Sequence, residues 1–278
     1  MEKYETQQTD IFSFMYEHYK IKKTIRLISL FSGYDSQLLS LKYLKQDGYN
    51  LNVESHKTCE WAIKSIQALK DLHHNEDDTD YSNNLNFEEL VNYLSDKGIS
   101  ADYNKPMTKD QVKRLGEEKC RTIYNNIKAT HNMVNIMQVK GSDLEISEQE
   151  KYEYIMTYSF PCQDLSLAGN KKGMSVSQAD GGTRSGLLWE VERILNECQQ
   201  LGTLPNVLLM ENVDQVHSKD NVQDFIKWQL ALEKLGYKNY WNDLNAKDYY
   251  DSEVTITYQI SNRNETIDGI SRVVTTTL

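Results

Sequence analysis

The strongest constraint on this chain is a recurring pair: a short apolar run, then a stretch with helical spacing. TIRLISLF precedes SQLLSLKYLKQDG, YEYIMTYSF is followed at a distance by GLLWEVERILNECQQL, and NVLLM precedes VQDFIKWQLALEKLG. Apolar runs of this length read as strands buried on both faces, and strands alternating with helices imply a mainly parallel sheet with helices on both faces. The expected fold is therefore α/β and Rossmann-like. KTCEW, VNIMQV and YWNDLNA are the remaining strand candidates, and AIKSIQALKDL is a further helix.

Two stretches interrupt the rhythm. Residues 1–23 read as a polar, aromatic-containing extension, with a short helix through IFSFMYEHYK. Residues 73–133 open with the polar HHNEDDTDYSNN and continue as FEELVNYLSDKG and TKDQVKRLGEEKCRTIYNNIKATHNM, which read as a loop and two helices inserted into the fold. The catalytic unit is expected over 24–248, with 249–278 as a divergent tail.

Composition narrows the function classes. No apolar stretch approaches the roughly 18 residues needed to span a bilayer, and the opening MEKYETQQTD is too polar for a secretory signal, so a cytoplasmic protein is expected. Cys59, Cys120, Cys162 and Cys198 form no CxxC pair, which argues against a zinc site and against a disulfide framework. No metal is expected. A net charge of -10 argues against wholesale electrostatic binding of nucleic acid, so any such contact must be local.

The residues that punctuate the strands carry the chemistry. Gly33, Glu60, Asp143, Cys162 and Glu211 each follow a strand candidate, and open α/β sheets bind ligands at the carboxyl ends of their strands. One strand-end carboxylate alone is ordinarily a turn or a helix cap. Five such residues at one edge point to a site. Cys162 in PCQ is followed by the polar loop residues Gln163, Asp164, Ser166 and Gly169, unlike the other cysteines, which suit buried, inert positions.

LFSGYDSQ, TCEW, GSDLE, SFPCQDLSLAG, TRSGLLWEVERIL and LLMENV occur in the order found in the cytosine-5 DNA methyltransferases, which the chain resembles over residues 25–248. The resemblance implies transfer of a methyl group from S-adenosyl-L-methionine to carbon 5 of a cytosine flipped out of double-stranded DNA. It implies Cys162 as the nucleophile toward carbon 6, Glu211 at ring nitrogen 3, and Arg184 on the phosphate of the flipped nucleotide. Phe31, Gly33, Glu60, Trp61, Asp143 and Pro161 are the implied cofactor-side residues: Glu60 for the ribose hydroxyls, Trp61 beside the adenine, Asp143 for its exocyclic amine. Pro161 also restricts the backbone just ahead of the nucleophile.

The pattern departs from the family in two places. Tyr34, Asp35 and Ser36 replace the richer glycine loop after Gly33. After NAKDY the family's glycine, its PQ segment and its arginines are absent, and Arg263 stands in a different context. A chain truncated before the target-recognition domain is the expectation, with a second polypeptide as the source of that domain. The alternative is a catalytically silent or partner-dependent fragment that keeps the fold and cofactor binding. A thiol hydrolase pairing Cys162 with one of the six histidines ranks last, because no histidine shares a motif with it.

Overall fold

The runs TIRLISL and YEYIMTY lie side by side. In the computed structural model, which describes residues 23–161, 184–248 and 255–263, β1 (Thr24–Leu30) pairs in parallel with β3 (Tyr152–Tyr158), with Leu27 opposite Ile155 and Leu30 opposite Tyr158. β2 (Val53–Cys59) flanks β1, and β4 (Val207–Val213) flanks β3, both in parallel. β5 (Lys238–Asn245) and β6 (Thr255–Asn262) complete the order β2-β1-β3-β4-β6-β5. β6 runs antiparallel to both of its neighbours, so β5 again runs with β4.

Period-two alternation sends the strand side chains to two cores. On one face Ile28, Leu30, Met156, Tyr158, Leu208 and Met210 meet α6 (Leu188–Leu201) and α7 (Val222–Lys234) through Leu188, Val191, Phe225 and Trp228. On the other, Ile25, Leu27, Ile155, Val207 and Leu209 pack with Leu38 and Leu41 of α1 (Ser36–Gln46). Helices thus cover both faces, as the sequence implies.

The inserted region has a core of its own. Leu90, Val91 and Leu94 of α3 (Phe87–Lys97), Val112 of α4 (Lys109–Lys113) and Ile123 and Ile127 of α5 (Glu117–Ala129) close over Ile66 of α2 (Ile63–His73). Asn86 and Glu89 form a reciprocal capping box that starts α3, and Gly98 ends it at φ 72°. The long helical stretch expected over TKDQVKRLGEEKCRTIYNNIKATHNM is broken into α4 and α5. Gly116 adopts φ 84°, which no helix continues through.

Two further elements differ from expectation. VNIMQV is no strand: Val134 takes φ 70°, Asn135 Oδ1 accepts from Met137 N, and Ile136–Gln138 forms a 3-10 turn. Residues 255–262, expected within a divergent tail, form a strand in the interior of the sheet, with Glu211 opposite Tyr258.

Candidate active site

At the carboxyl ends of β1, β2 and β3 the chain leaves the sheet in three directions, and a cleft of about 240 Å³ opens between them. Phe31 comes from the end of β1, Glu60 and Trp61 from the end of β2, and Ser159 and Pro161 from the end of β3. Asn135, Ile136 and Met137 form another wall, and Leu187 closes it from the turn leading into α6.

Glu60 organises this cleft. Its Oε2 accepts a hydrogen bond from Gly33 N at 3.1 Å, and its Oε1 accepts from Ala62 N at 2.7 Å, so one carboxylate ties the β1 exit to the β2 exit. Its own backbone is clasped by Asn132, which accepts from Glu60 N at 3.0 Å and donates to Glu60 O at 2.9 Å. Burial pushes the Glu60 carboxyl above the usual carboxylate range, against the pull of its backbone hydrogen bonds to Ala62 and Gly33. Gly33 sits at φ 52° with open space where a Cβ would stand, so the backbone conformation is what requires glycine there.

A second set of contacts joins β3 to β4. Glu211 lies within β4, which runs on to Val213, and Ser159 Oγ donates to Glu211 Oε2. Asn212 is buried; its Nδ2 donates to Phe160 O at 2.9 Å and its Oδ1 accepts from Val213 N at 2.9 Å. This amide fixes the backbone immediately ahead of Pro161. Asn212 thus organises the β3 exit from inside β4.

Of the residues singled out by sequence, Phe31, Glu60, Trp61 and Pro161 meet at the cleft, with Gly33 bonded to Glu60. Glu211 joins them through Ser159, itself a cleft residue. Asp143 does not. It is exposed in the 3-10 helix Gly141–Leu144, and its Oδ2 accepts from Lys140 N at 2.9 Å. The GSDLE segment has a packing role: a Cβ on Gly141 would come within 2.7 Å of the Cys198 backbone nitrogen, and Gly141 N donates to Glu197 Oε2 at 2.7 Å. Asn135, which the sequence did not single out, lines the cleft. Residues 162–183, Cys162 among them, lie outside the described residues, as does the side chain of Arg184, whose backbone opens the turn Arg184–Leu187.

The other thiols fit an inert role. Cys59, Cys120 and Cys198 are free and buried, and burial raises all three, Cys198 to about 11. Among the described residues no cluster of histidine, cysteine and carboxylate side chains is suited to a metal ion, and no helix is long and apolar enough to cross a membrane.

The residues present fit an adenosyl ligand. Phe31, Trp61 and Tyr103 offer aromatic surface for a purine, Asn104 and Asn135 offer amides for its edge, and each Glu60 oxygen has a second lone pair for a ribose hydroxyl. Asn104, Asn135 and Tyr103 were missed by sequence reasoning. Asn135 lay in a stretch read as a buried strand, and the other two lay in an insertion that bears no motif.

Fold and cleft together define an open α/β protein with a cleft at its strand ends. The model of the C-5 cytosine-specific DNA methylase family matches residues 85–251, and the chain belongs to that family. It is 34% identical over 247 residues to the orphan methyltransferase M.SssI of Spiroplasma monobiae, covering 88% of this chain and 61% of that protein. It is 33% identical over 226 residues to the type II methyltransferase M2.ScrFI of Lactococcus lactis subsp. cremoris, covering 81% of this chain and 57% of that one. Among solved structures it is similar to the Dnmt2 methyltransferase of S. pombe, at 12% identity and a TM-score of 0.49, over 87% of this chain and 51% of that one.

Proposed function

We propose that this chain carries the catalytic centre of a DNA cytosine-5 methyltransferase. The observation that carries the proposal is the meeting of three strand ends. The backbone leading into Cys162 is held by Asn212 through Phe160, Glu211 is bonded to Ser159, and both lie beside the cleft built on Glu60.

The chemistry follows from what cytosine lacks. Its carbon 5 is a poor nucleophile until a thiolate adds to carbon 6, and Cys162 supplies that thiolate. Adding the sulfur pushes electron density toward ring nitrogen 3, where Glu211 shares a proton and prevents a full anion from forming. Carbon 5 then takes the methyl group, loses its proton, and the Cys162 sulfur leaves as the double bond re-forms. S-adenosyl-L-methionine, when bound, supplies the activated methyl group. Glu60 orients it through the ribose, and the walls around Trp61 and Asn135 exclude water from the purine.

Double-stranded DNA is the proposed substrate, with the target base rotated out of the helix at a cost of roughly a few kcal/mol. Arg184, where the 162–183 loop rejoins the described chain, is the proposed phosphate contact. With a net charge of -10 the grip on DNA is local to such residues.

The chain spans 61% and 57% of the length of the two curated relatives above. A polypeptide supplying a recognition element is a proposed partner, and a silent cofactor-binding fragment is the second reading. Transfer of labelled methyl to DNA tests both readings, measured for the chain alone and with a second polypeptide covering the relatives' unmatched length. Expected is incorporation that Cys162→Ser abolishes, with covalent trapping of the wild type on a 5-fluorocytosine duplex. Cofactor binding without transfer or trapping in either setting selects the silent fragment.

A further inference from the structure

The cleft has a wall that comes from the insertion, outside every motif that marks the site. Residues 99–107 form a loop between α3 and α4, and its base is stitched to the chain just beyond Glu60. Ser100 N donates to Trp61 O at 2.7 Å, and Ile63 N donates to Ser100 O at 2.9 Å. Ser100 Oγ donates to Lys105 O at 2.8 Å, and Asp102 Oδ1 accepts from Asn104 N at 3.0 Å, which fixes the turn from within. Tyr103 stands at the tip of this turn and lines the cleft, as does Asn104.

Tyr103 is held there against its own preference. Its φ is 61°, a left-handed conformation that glycine takes freely, asparagine takes with ease and a bulky aromatic residue avoids. Three of the non-glycine residues with positive φ, namely Phe31, Tyr103 and Val134, line this one cleft, so unfavourable backbone is gathered where a ligand would sit. The far end of the Tyr103 ring is tethered as well, its hydroxyl lying 2.7 Å from Ser65 Oγ on α2. Between tether and strained backbone the residue as a whole remains 44% exposed. A tyrosine that only packed the insertion would be covered by it. This one is fixed at both ends, lines the cleft and stays exposed, which is how a preorganised aromatic contact is built.

We infer that Tyr103 is a binding residue for the purine ring of the adenosyl cofactor, brought by the insertion to form an aromatic wall beside Trp61. The inference rests on the cofactor reading given above. It makes the insertion part of the binding site, and it places the determinant of purine affinity in a segment free of methyltransferase motifs.

Calorimetric titration of the full chain with S-adenosylhomocysteine and with 5′-methylthioadenosine, which lacks the amino-acid end, tests it. Tyr103→Ala is expected to weaken both ligands about tenfold, as loss of a ring contact should. Tyr103→Phe and Ser65→Ala, which keep the ring and cut only the tether, are expected to weaken both by a common, smaller factor. Tyr103→Gly removes the ring and relieves the left-handed strain, so its ligand-free melting temperature should be no lower than that of the wild type while binding falls as in Tyr103→Ala. That split separates a ligand contact from a merely structural role. Unchanged binding in Tyr103→Ala and Tyr103→Gly would overturn the inference. So would weakening confined to S-adenosylhomocysteine, which would move Tyr103 to the amino-acid end. A wild-type chain that binds neither ligand would remove the cofactor reading itself, a different result from a variant that binds as well as its parent.

Discussion

The two halves of the sheet bury polar groups in opposite ways. Around β2-β1-β3-β4 two buried carboxyls, Asp35 and Glu60, follow strand ends, and burial pushes both above the usual carboxylate range, while Glu153 is buried at the start of β3. Asp35 accepts from Ser29 Oγ at 2.9 Å and caps α1, and Glu60 faces the cleft. The antiparallel half, β6 and β5, instead lines its interior with Thr257, Gln259 and Ser261, all fully buried. Asn239 Oδ1 accepts from Gln259 Nε2 at 3.2 Å and from Ser261 Oγ at 2.7 Å, and Asp243 Oδ1 accepts from Thr257 Oγ1 at 2.5 Å. Buried polarity by itself is therefore no mark of a site. Where it is ionisable and follows a strand end, it ties loops together beside the cleft, as Glu60 does, or caps a helix, as Asp35 does; where it is mostly amide and hydroxyl, it holds two strands together.

The largest expected effect lies in the first half. Arg193 of α6 donates to Glu190 and Glu197 at 2.8 Å each, and to the carbonyls of Ile136 and Val139 at 3.2 and 2.8 Å, so it clamps the Asn135 wall of the cleft to a core helix. Arg193→Met removes the guanidinium from the buried Glu190 carboxylate and should cost about 3 kcal/mol of stability in denaturant unfolding, the low end for a buried pair because the arginine side chain is itself 35% exposed. Cofactor affinity should fall with it. In the second half, Asn239→Ala takes the acceptor of Ser261 Oγ and one of the two acceptors of Gln259 Nε2, and should cost about 1–3 kcal/mol, leaving cofactor affinity unchanged. Adding Gln259→Leu and Ser261→Ala to it should restore much of that loss, because the donors go as well. If the Asn239 variant weakened cofactor binding, or the Arg193 variant spared it, the division between the halves would fail.

The same division explains what could be read in advance. TIRLISL, YEYIMTY and NVLLM announce themselves because parallel strands buried on both faces need unbroken apolar runs, and the residues just beyond them were visible for that reason. TITYQISN has no such run: its inward positions are satisfied sideways by Asn239 and Asp243, a pairing that local sequence does not encode. VNIMQV misled in the other direction. It is apolar enough for a strand, yet Asn132 Oδ1 accepts from both Glu60 N and Val134 N and turns the chain before it can pair. That turn is what moves Asn135 into the cleft and leaves Asp143 outside. Tyr103 was invisible because nothing in ADYNKP distinguishes a cleft wall from a surface loop until the fold brings it to Trp61.

The smallest effect concerns pH and sets two parts of the first half against each other. His74, at the end of α2, is pushed down to about 4 from its ordinary 6.5, chiefly by burial and then by His131, His73 and Lys42, with Asp77 pulling the other way. Its Nε2 is buried with no hydrogen-bond partner. A histidine kept neutral in the native state binds fewer protons there than in the unfolded chain, so its contribution is full above pH 6.5 and is lost as pH falls toward 4. Asp35 and Glu60, raised by burial, act in the opposite sense: the native state holds their protons more tightly, and stability falls as pH rises through their raised values. His74→Leu removes one titration and leaves the other two. Discounted for its partial exposure, His74 should account for about 1 kcal/mol of stability lost by the wild type, but kept by the variant, between pH 7 and pH 4.5. Parallel stability profiles for the two proteins over that range would mean that the ring takes up its proton without cost, and that burial at the end of α2 does not couple folding to pH as it does at Asp35 and Glu60.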